Sequence, residues 1–463
     1  MRKIQKLIAI TISMIMIMMA LSACGNTPSE APNTGATETD TTEVDTSEED
    51  ASEEQVDNEE EQDEVASLEG TGDVTLKLTW PGGGQNRAEL LKCLEPFTEA
   101  TGIGIDLVFI TGNWGEYFTT IQTMIAGGEA PDLSEIAIEG FDMFVYNGLA
   151  TPMNDWIAEN QEDYDRIAND IDPNVMNILN YDGLQYGIPT EWNNVVTHIN
   201  TKLLEEAGLE LPPADWNQNT FLEYAEKMTV QREDGSTQFG MSIPHAYFEL
   251  TAWMYNWGTS LLNDDMTEGN LEDPKVIEAF QFMYDLVYEY GYSPIPEAGV
   301  DRIQLMQDGE IAMFFAGRWP TTQYVANDFK DVAIQYMPTF ETNVPVWGGT
   351  STMRLTSSQH LEEAHQLALY LASPEFIEKW LAYGPIPVLN SVAEEKLAEL
   401  GIPQNYEIYI ESAATARPVQ SPQQYAEVSV AVIQAFNDIM INKADIEETL
   451  SATNAQLNMI LMD

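Results

Sequence analysis

The stretch "DVTLKLTWPGGGQNRAELLKCLEPFTEATGIGIDLVFI", residues 73–110, decides the fold. Its first part, "DVTLKLTW", alternates apolar and polar residues as a half-buried strand does. The next part, "NRAELLKCLEPFTEATG", has helical apolar spacing and ends at a glycine, and "IGIDLVFI" is again typical of a strand. A strand, a helix and a second strand in this order predict a parallel α/β unit with a right-handed crossover.

The same alternation continues downstream. "NWGEYFTTIQTMIAGGEAPD" predicts a helix that ends at Gly-Gly, and "DLSEIAI" predicts a further strand. Later helices are predicted in "DPKVIEAFQFMYDLVYEYG", "SSQHLEEAHQLALYLASPEFIEKWLAYG" and "QYAEVSVAVIQAFNDIM". The first of these has Pro274 near its start and Gly291 after its end, as helices prefer. There is no internal repeat and no long Pro/Ser linker after residue 71, so two domains would need more than one crossing of the chain.

The amino terminus has the order of a secretory signal. Arg2, Lys3 and Lys6 precede an apolar run over residues 7–21, and small residues follow. The run is short for a membrane span, which needs roughly 20 apolar residues, so an uncleaved anchor helix is the less favoured alternative. "LSAC" resembles the lipobox of bacterial lipoproteins. The expectation is a signal peptide over residues 1–23 and lipid attachment at Cys24.

Residues 24–70 form an acidic segment, which we call the tether. From residue 25 to residue 70 it has no Lys, Arg or aromatic residue. Such a segment cannot bury enough apolar surface to offset chain entropy, and its like charges repel one another. A disordered, solvated tether is predicted, with an acidic interaction tail as the alternative.

The charge balance excludes several classes of partner. The chain has 76 acidic and 19 basic residues, a formal net charge of -57. Polyanions bind through Lys and Arg, so nucleic acid is not expected as a partner, and contact with membrane is expected only through the lipid anchor. The second cysteine, Cys93, is predicted to be a core residue. With Cys24 lipidated, no internal disulfide can form.

Metal and catalytic motifs are weak in this sequence. "HLEEAH" has the wrong spacing for H-E-x-x-H, and "DDMTEGNLEDPK" fails the calcium-loop template at its last ligand, where Lys275 stands. There is no G-x-S-x-G elbow beside the four histidines. Acidic pairs are inevitable among 76 acids, so they do not indicate a glycoside hydrolase. No cofactor, no metal and no enzymatic activity are expected.

Four segments together resemble the extracellular solute-binding proteins of ABC importers, in particular the maltose-binding-like, sugar-specific group. They are "AGGEAPDLSEI", "YDGLQYGIPTEWNNVVTHINTKLLEEAGLELPPADWNQNTFLEYAEKM", "LMQDGEIAMFFAGRWP" and "SSQHLEEAHQLALYLASPEFIEKW". The resemblance covers nearly all of residues 71–463. It implies a two-lobed α/β fold of type II, with the ligand in the cleft between the lobes.

The resemblance also implies where the lobes divide. The N-terminal lobe would comprise residues 71–189 and 352–386, and the C-terminal lobe residues 190–351 and 387–463. The chain would cross between them near 187–192, 348–353 and 385–388. Short crossings of this kind can absorb the backbone rotation that hinge closure requires.

A neutral sugar offers apolar C–H faces and hydroxyl groups, so a matching site combines aromatic rings with carboxylates, amides or guanidinium groups. By resemblance, Trp319, Tyr247 and Tyr425 would stack on the sugar, and Glu139 and Asn193 would bond its hydroxyls from the opposite lobe. Arg318 would either add a hydrogen-bond fork or form an ion pair, and Asp132 would orient its loop.

The sequence departs from the maltose pattern at three places. Ile136 stands where an aromatic residue is expected, Gly140 where an arginine is expected, and "PGGGQ" replaces an amide and an acid. Maltose itself is therefore a doubtful ligand. The candidate substitutes are Glu135, Glu191, Trp192, Trp114 and Trp347.

The functional expectation is a monomeric, lipid-anchored receptor on the outer face of a bacterial cytoplasmic membrane. It would capture a neutral mono- or oligosaccharide by hinge closure and present it to the transmembrane subunits of an ABC permease. A surface adhesin or scaffold, and a binder of a non-sugar solute such as a peptide, remain the alternatives; a glycoside hydrolase is the least favoured.

Overall fold

The computed structural model describes residues 66–82, 87–297, 300–383 and 386–462. The predicted signal peptide, Cys24, the tether up to residue 65, most of "PGGGQ" and Pro385 lie outside the described residues. Within the described part of the chain, no helix is both long and apolar enough to cross a membrane.

The described residues alternate between strands and helices through most of the chain. The strands are β1 (Ala66–Leu68), β2 (Thr75–Pro81), β3 (Gly104–Ile110), β4 (Leu133–Ala137), β5 (Asn180–Tyr181), β6 (Leu184–Gln185), β7 (Gly187–Asn194), β8 (Val196–Asn200), β9 (Val230–Gln231), β10 (Thr237–Gln238), β11 (Met313–Ala316), β12 (Val332–Gln335), β13 (Val346–Arg354), β14 (Ile386–Pro387) and β15 (Arg417–Pro418).

The helices are α1 (Arg87–Thr101), α2 (Trp114–Gly127), α3 (Ile138–Tyr146), α4 (Asn154–Glu159), α5 (Gln161–Ala168), α6 (Pro173–Asn177), α7 (Thr201–Glu206), α8 (Gln218–Met228), α9 (Tyr247–Asn256), α10 (Pro274–Tyr288), α11 (Arg302–Gln307), α12 (Thr321–Ala326), α13 (Leu361–Leu371), α14 (Pro374–Trp380), α15 (Asn390–Leu400), α16 (Glu407–Ala413), α17 (Tyr425–Met440) and α18 (Ile446–Ile460).

The parallel unit predicted from residues 73–110 is confirmed. Strands β2 and β3 are parallel, in register from Thr75 opposite Gly104 to Pro81 opposite Ile110, and α1 connects them. Strand β4 joins the other side of β2, also in parallel. The inward faces of β2 and α1 bury apolar side chains such as Leu78 and Leu90, which fixes the helix on the sheet.

The predicted boundary of the tether at residue 70 is wrong. Residues 66–68 form the edge strand β1, antiparallel to β3, and Leu68 packs against the core of the first sheet. Gly70 then lies against the chain near Gly102, where an added Cβ would come within 2.4 Å of the Gly102 carbonyl oxygen. One apolar residue and one close backbone approach therefore anchor a segment whose composition is that of a disordered chain.

Three strands link the first sheet to the rest of the molecule. The first sheet has the order β1-β3-β2-β4-β13-β7-β14, and β15 pairs with β13. A single residue separates the end of β7 from the start of β8. Strand β8 is the central strand of the second sheet, whose order is β11-β8-β12. The chain thus leaves the first sheet through β7 and enters the second within a few residues. The three segments predicted as crossings lie on β7, β13 and β14, which pair side by side.

Helices form in segments that were predicted to be helical later in the chain. Helix α10 forms as predicted: the Asp273 carboxylate accepts the N–H of Lys275, Pro274 occupies the first turn, and Gly291 follows with φ +68°. Helices also form within "SSQHLEEAHQLALYLASPEFIEKWLAYG", as predicted, and there are two of them, α13 and α14. Ser373 caps the second helix, and Pro374 cannot donate the hydrogen bond that would continue the first.

One apolar core joins elements from both sheets. It combines Tyr117, Phe118 and Phe141 from α2 and α3 with residues of α9, α10 and α17. A second core lies between the first sheet and α1, α13 and α14. Cys93 is 4% exposed in that second core, as predicted, and burial raises the pKa of its thiol to about 11.

Candidate functional site

Three of the predicted polar site residues lie on two strands of the first sheet that flank β13. Glu135 is on β4, Glu191 and Asn193 are on β7, and β13 runs between these two strands. Glu135 is opposite Thr352, and Glu191 is opposite Thr350. A bulge between Thr350 and Ser351 shifts the register of β13 against β7. The sheet therefore brings two carboxyl groups to either side of one short stretch of β13.

Glu135 is fully buried among hydroxyl groups. The Thr190 hydroxyl donates to Glu135 Oε1 at 3.0 Å and also lies 3.2 Å from the Thr350 hydroxyl. Glu135 Oε2 has no hydrogen-bond partner among the described residues. Burial raises the pKa of Glu135 to about 7, and the hydroxyls of Thr350 and Thr190 act in the opposite direction.

Glu191 is the second acid of this group. Burial, and then the negative charge of Glu135, hold the pKa of Glu191 well above its usual range, while the Thr350 hydroxyl and the Arg318 charge lower it. Arg318 is 1% exposed, and its Nη1 donates to the Leu381 carbonyl oxygen at 2.8 Å. Burial lowers the pKa of Arg318 to about 10. The positive charge of Arg318 thus acts on Glu191.

Trp319 follows β11 on a loop, as predicted, and folds back over Gly317. A Cβ added at Gly317 would lie 2.3 Å from Trp319 Cζ3 and 2.7 Å from Asn193 Oδ1, so only glycine fits there. Asn193 Oδ1 accepts the backbone N–H of Arg318 at 2.9 Å. The half-buried Trp319 ring packs edge-on against the Phe248 ring, with 6.2 Å between the ring centroids. These contacts place Trp319 beside the polar side chain of Asn193.

The two predicted site tryptophans that lie on strands, Trp192 and Trp347, are half-buried. Trp192 is opposite Gly349 on one side and Ile386 on the other. Trp347 is the second residue of β13 and packs partly against the large core. The Gly348-Gly349 pair lies within β13, where a Cβ at Gly348 would come 2.6 Å from the Phe248 ring. These two glycines make room for neighbouring groups and do not form a turn.

A second group of predicted residues meets between α3, α9 and α17. Glu139 is in the first turn of α3 and is 3% exposed; burial raises its pKa to about 7. Tyr247 and Tyr425 are each 4% exposed, and their rings meet edge-on at 5.3 Å. Burial, with the nearby charge of Glu139, raises the pKa of Tyr425 well above its usual range. An acid on the helix that follows β4 thus lies near aromatic residues of α9 and α17.

Trp114 joins this second group through Phe118. Its ring stacks on Phe118 at 5.6 Å, and Phe118 meets Tyr425 edge-on at 6.3 Å. The Tyr247 hydroxyl donates to the Gln420 carbonyl oxygen at 3.1 Å. The aromatic residues of α2 are therefore in contact with Tyr425 of α17 in this structure.

Two small cavities, each of about 10 Å³, border Glu191. Each is about the size that holds one water molecule. The first is lined by Trp80, Thr190, Glu191, Leu371, Phe376, Ile377, Trp380, Leu381 and Pro387. The second is lined by Ile138, Val175, Ile178, Leu179, Pro189, Glu191, Trp347, Gly349 and Thr350. Glu191 is the carboxyl group common to both.

Several residues of this region escaped the sequence analysis. Thr190 and Thr350 place hydroxyl groups beside Glu135, and Phe118 and Phe248 carry the aromatic contacts. Phe248 stands next to a predicted residue, which was the available signal. The pairing of two threonines that are 160 positions apart has no signal in a single sequence. Asp132 orients its loop as expected, since it accepts the Lys77 N–H at 2.9 Å and the Ser358 hydroxyl at 2.6 Å.

Metal binding has no support in the described residues, which contain no group of three or more His, Cys, Asp or Glu side chains placed to hold an ion. What the arrangement offers chemically is buried hydrogen-bond donors and acceptors beside aromatic rings. Groups of these two kinds suit an uncharged, hydroxyl-bearing ligand.

The chain resembles binding proteins of known structure in its fold. The ABC substrate-binding protein from Listeria monocytogenes in complex with cycloalternan matches with a TM-score of 0.76 and 22% identity, over 84% of this chain and 100% of that one. The solute-binding protein from Thermotoga lettingae bound with α-D-tagatose matches with a TM-score of 0.73 and 22% identity, over 84% and 100% of the two chains. The fold is the two-lobed, type II fold of these proteins.

Sequence comparison gives the family. Residues 92–402 match the family model described as bacterial extracellular solute-binding protein. This chain belongs to the family of bacterial extracellular solute-binding proteins. This chain is 26% identical over 297 residues to a putative binding protein of Brucella abortus. The match covers 61% of this chain and 68% of that protein. It is also 26% identical over 262 residues to the arabinooligosaccharide-binding protein of Halalkalibacterium halodurans, over 53% and 55% of the two chains.

Proposed function

We propose that this protein is the substrate-binding component of an ABC importer and captures a neutral mono- or oligosaccharide. The observation that carries the proposal is the placement of Glu191, Asn193 and Trp319 where the first sheet passes into the second. The similar proteins include binders of cycloalternan, tagatose and arabino-oligosaccharides, which are all uncharged polyols. The family and the neighbours are binding proteins, and no enzymatic activity is proposed.

Capture would proceed by closure of two lobes. The proposed N-terminal lobe comprises residues 71–189 and 352–386, now extended to include β1, and the proposed C-terminal lobe residues 190–351 and 387–463. The strands β7, β13 and β14 would act as the hinge. Closure is favoured when the ligand contacts both lobes, because only then does binding lower the free energy of the closed state more than that of the open state.

In this proposal the two groups of residues have different roles. Glu139, Asn193, Glu191 and Arg318 would bond the hydroxyls of the sugar, while the rings of Trp319, Tyr247 and Tyr425 would cover its C–H faces. Trp114, Trp192, Trp347 and Glu135 would support these contacts. When the ligand binds, the contacts between the aromatic residues of α2 and Tyr425 of α17 would be exchanged for contacts with the ligand.

The cellular setting is also a proposal. Cleavage before Cys24 and lipid attachment there would hold a monomeric receptor on the outer face of the membrane. The acidic tether would let it reach the transmembrane subunits of its permease. The support is the order of charged, apolar and small residues before Cys24, together with membership of an extracellular family.

A thermal-shift screen tests the proposal. Maltotriose, mannotriose, cycloalternan, tagatose and arabino-oligosaccharides are added in turn to the purified protein, with short peptides as a second panel. A sugar that binds only the folded state must raise the melting temperature. Trp319→Ala should then weaken the binding of that sugar at least tenfold, whereas Tyr290→Ala, a substitution at an exposed aromatic residue outside the proposed site, should leave it unchanged.

The screen has distinct outcomes. Stabilisation by peptides and by no sugar would overturn the sugar proposal and favour the alternative ligand class. Release of smaller sugars from an oligosaccharide would show hydrolysis and overturn the assignment as a binding protein. Unchanged affinity in Trp319→Ala would overturn the placement of the site.

A further inference from the structure

His198 is a polar side chain in the centre of the second sheet. It lies on β8, opposite Phe314 of β11 and Ile334 of β12, and is 0% exposed. Its ring stacks on the Phe314 ring, with 5.1 Å between the ring centroids. An imidazole at such a position lowers stability unless both of its nitrogens have hydrogen-bond partners. Both nitrogens of His198 do, and one partner is Gly317, at the start of the loop that carries Trp319.

The partners of His198 fix which ring nitrogen carries the hydrogen. Nε2 lies 2.8 Å from the carbonyl oxygen of Gly317, which can only accept, so Nε2 is the donor. Nδ1 lies 3.1 Å from the hydroxyl of Tyr324 on α12 and accepts its hydrogen. Burial lowers the pKa of His198 to about 4, with a smaller contribution from the positive charge of Arg302 on α11. The ring is therefore neutral at neutral pH and has its hydrogen on Nε2.

The Gly317 carbonyl group receives a second buried donor. The hydroxyl of Tyr409 on α16 lies 3.3 Å from this carbonyl oxygen and 3.3 Å from His198 Nε2. Because Nε2 is itself a donor, the Tyr409 hydroxyl donates to the carbonyl oxygen. Side chains of β8 and α16 thus hold one carbonyl group.

The same peptide group is also held on its opposite side. The Gly317 carbonyl and the Arg318 N–H belong to one planar peptide, and that N–H donates to Asn193 Oδ1 at 2.9 Å. Rotation of this peptide would break the bonds to His198 and to Asn193 together. Trp319 follows directly, so the peptide sets the direction in which the loop leaves β11. With its oxygen engaged, Asn193 keeps its amide hydrogens for a ligand.

We propose that His198 is a positioning residue of the sugar site, which orients the loop before a ligand binds by fixing the peptide between Gly317 and Arg318. The groups that it orients are Trp319 and Asn193. This inference rests on the proposed function, because it takes these two groups to contact the sugar. Groups that are already in place lose less conformational freedom when the ligand binds, so the affinity is higher. His198 acts only through the loop.

The first experiment needs no ligand. Fluorine NMR of the full chain with fluorinated tryptophan reports the surroundings of each tryptophan, and Trp319→Phe assigns the resonance of Trp319. His198→Phe keeps a ring that can pack on Phe314 but removes the donor, so it should shift or split the Trp319 resonance. His198→Gln can still donate to the Gly317 carbonyl from its amide nitrogen and should keep the wild-type resonance.

The two variants separate positioning from packing. If His198 only fills the core, His198→Phe preserves the shape better and should resemble the wild type more than His198→Gln does. That order, equal shifts in the two variants, or an unchanged Trp319 resonance in His198→Phe would overturn the proposal. The matched control is His365→Phe at another buried histidine, whose ring lies 5.4 Å from that of Trp156. It should change the Trp156 resonance and leave that of Trp319 unchanged.

A measurement that keeps His198 in place covers the case in which its variants fail to fold. Nitrogen NMR of the full chain with isotope-labelled histidine shows which ring nitrogen carries the hydrogen. Tyr324→Phe removes only the hydroxyl at Nδ1, so the Nδ1 resonance that moves in this variant belongs to His198. In the wild type at neutral pH, Nε2 should carry the hydrogen. A ring with its hydrogen on Nδ1 only would overturn the proposal, because it could not donate to Gly317.

The second experiment measures the effect on binding. Calorimetric titration compares the binding of maltotriose and mannotriose to the wild type and to the variants. His198→Phe should weaken binding about tenfold, whereas His198→Gln should stay within about threefold of the wild type. His365→Phe should bind the sugars as the wild type does.

The outcomes separate this inference from the proposed function. Sugar binding that is equally tight in the wild type and in His198→Phe would overturn the positioning role and leave the binding function intact. Failure of both sugars to bind to the wild type would count against the proposed function, and the fluorine spectra would still decide whether His198 fixes the loop.

Discussion

Glu135 and Glu249 are both buried glutamates, and they differ in what neutralises them. Glu249 is 2% exposed, and Arg302 Nη2 donates to both of its oxygens, at 2.6 and 2.8 Å. Glu135 is 0% exposed and faces threonine hydroxyls. A buried carboxylate beside an arginine keeps its charge as part of an ion pair, whereas one beside hydroxyls tends to hold a proton. The first arrangement is structural, and the second leaves a group free to respond to pH.

The largest expected effect comes from breaking the structural pair. Arg302→Met leaves the charge of Glu249 buried and uncompensated, which should lower the free energy of unfolding by about 3–5 kcal/mol. Urea unfolding at neutral pH measures this change. The matched control is Lys227→Met, which breaks an exposed pair with Glu223 of 2.7 Å and should leave the midpoint unchanged. Equal, small shifts in both variants would contradict the distinction drawn between the two acids.

The next effect concerns Glu135 and has a defined sign. Its folded pKa of about 7 lies above the ordinary value of 4.5, so the folded protein binds this proton more tightly than the unfolded chain does. Stability from this group is therefore complete below about pH 4.5 and is lost as the pH rises through about 7. Glu135→Gln should match wild type near pH 4.5 and exceed its unfolding free energy by about 3 kcal/mol near pH 8.

The measurement is urea unfolding of both proteins across that range of pH. The difference between them isolates Glu135 from Glu139 and the buried histidines, which titrate in both. A constant difference at every pH would show that Glu135 does not change its protonation on folding.

The smallest effect comes from the hydroxyl that serves Glu135. Thr190→Val should lower the unfolding free energy by about 1–2 kcal/mol near pH 8, because an ionised acid loses its donor, and by less near pH 5. Thr98→Val is the matched control, since the Thr98 hydroxyl is buried and has no partner among the described residues. It should cause no loss at either pH. A Thr190→Val penalty that does not change with pH would place the charge elsewhere.

Local sequence patterns predicted the helices and strands well where residues close in sequence are enough to determine them. The alternation in residues 73–80, the proline and glycine around α10 and the Gly-Gly end of α2 each correspond to the observed element. The pattern did not predict the ends of two elements, because a single residue determines each of them. Pro374 divides an otherwise continuous helical pattern, and Leu68 draws the end of an acidic segment into an edge strand.

The candidate site was predictable in its parts and not in its connections. Residues that are adjacent in sequence, such as Arg318 and Trp319, were found together through the resemblance to a known family. The structure brings Glu135 and Glu191 to either side of β13, where they are opposite Thr352 and Thr350. It also places Glu139 near Tyr425. Whether these residues bind the ligand remains a prediction.

The sequence by itself determined the α/β order and the core helices, because hydrophobic period and turn residues act over a few positions. The family followed from the resemblance of four segments to known proteins. Tertiary structure alone decided which acids have a raised pKa. The protonation of a carboxyl group depends on what lies within a few ångströms of it, and for Glu135 those neighbours are Thr190 and Thr350, which lie 55 and 215 residues away along the chain.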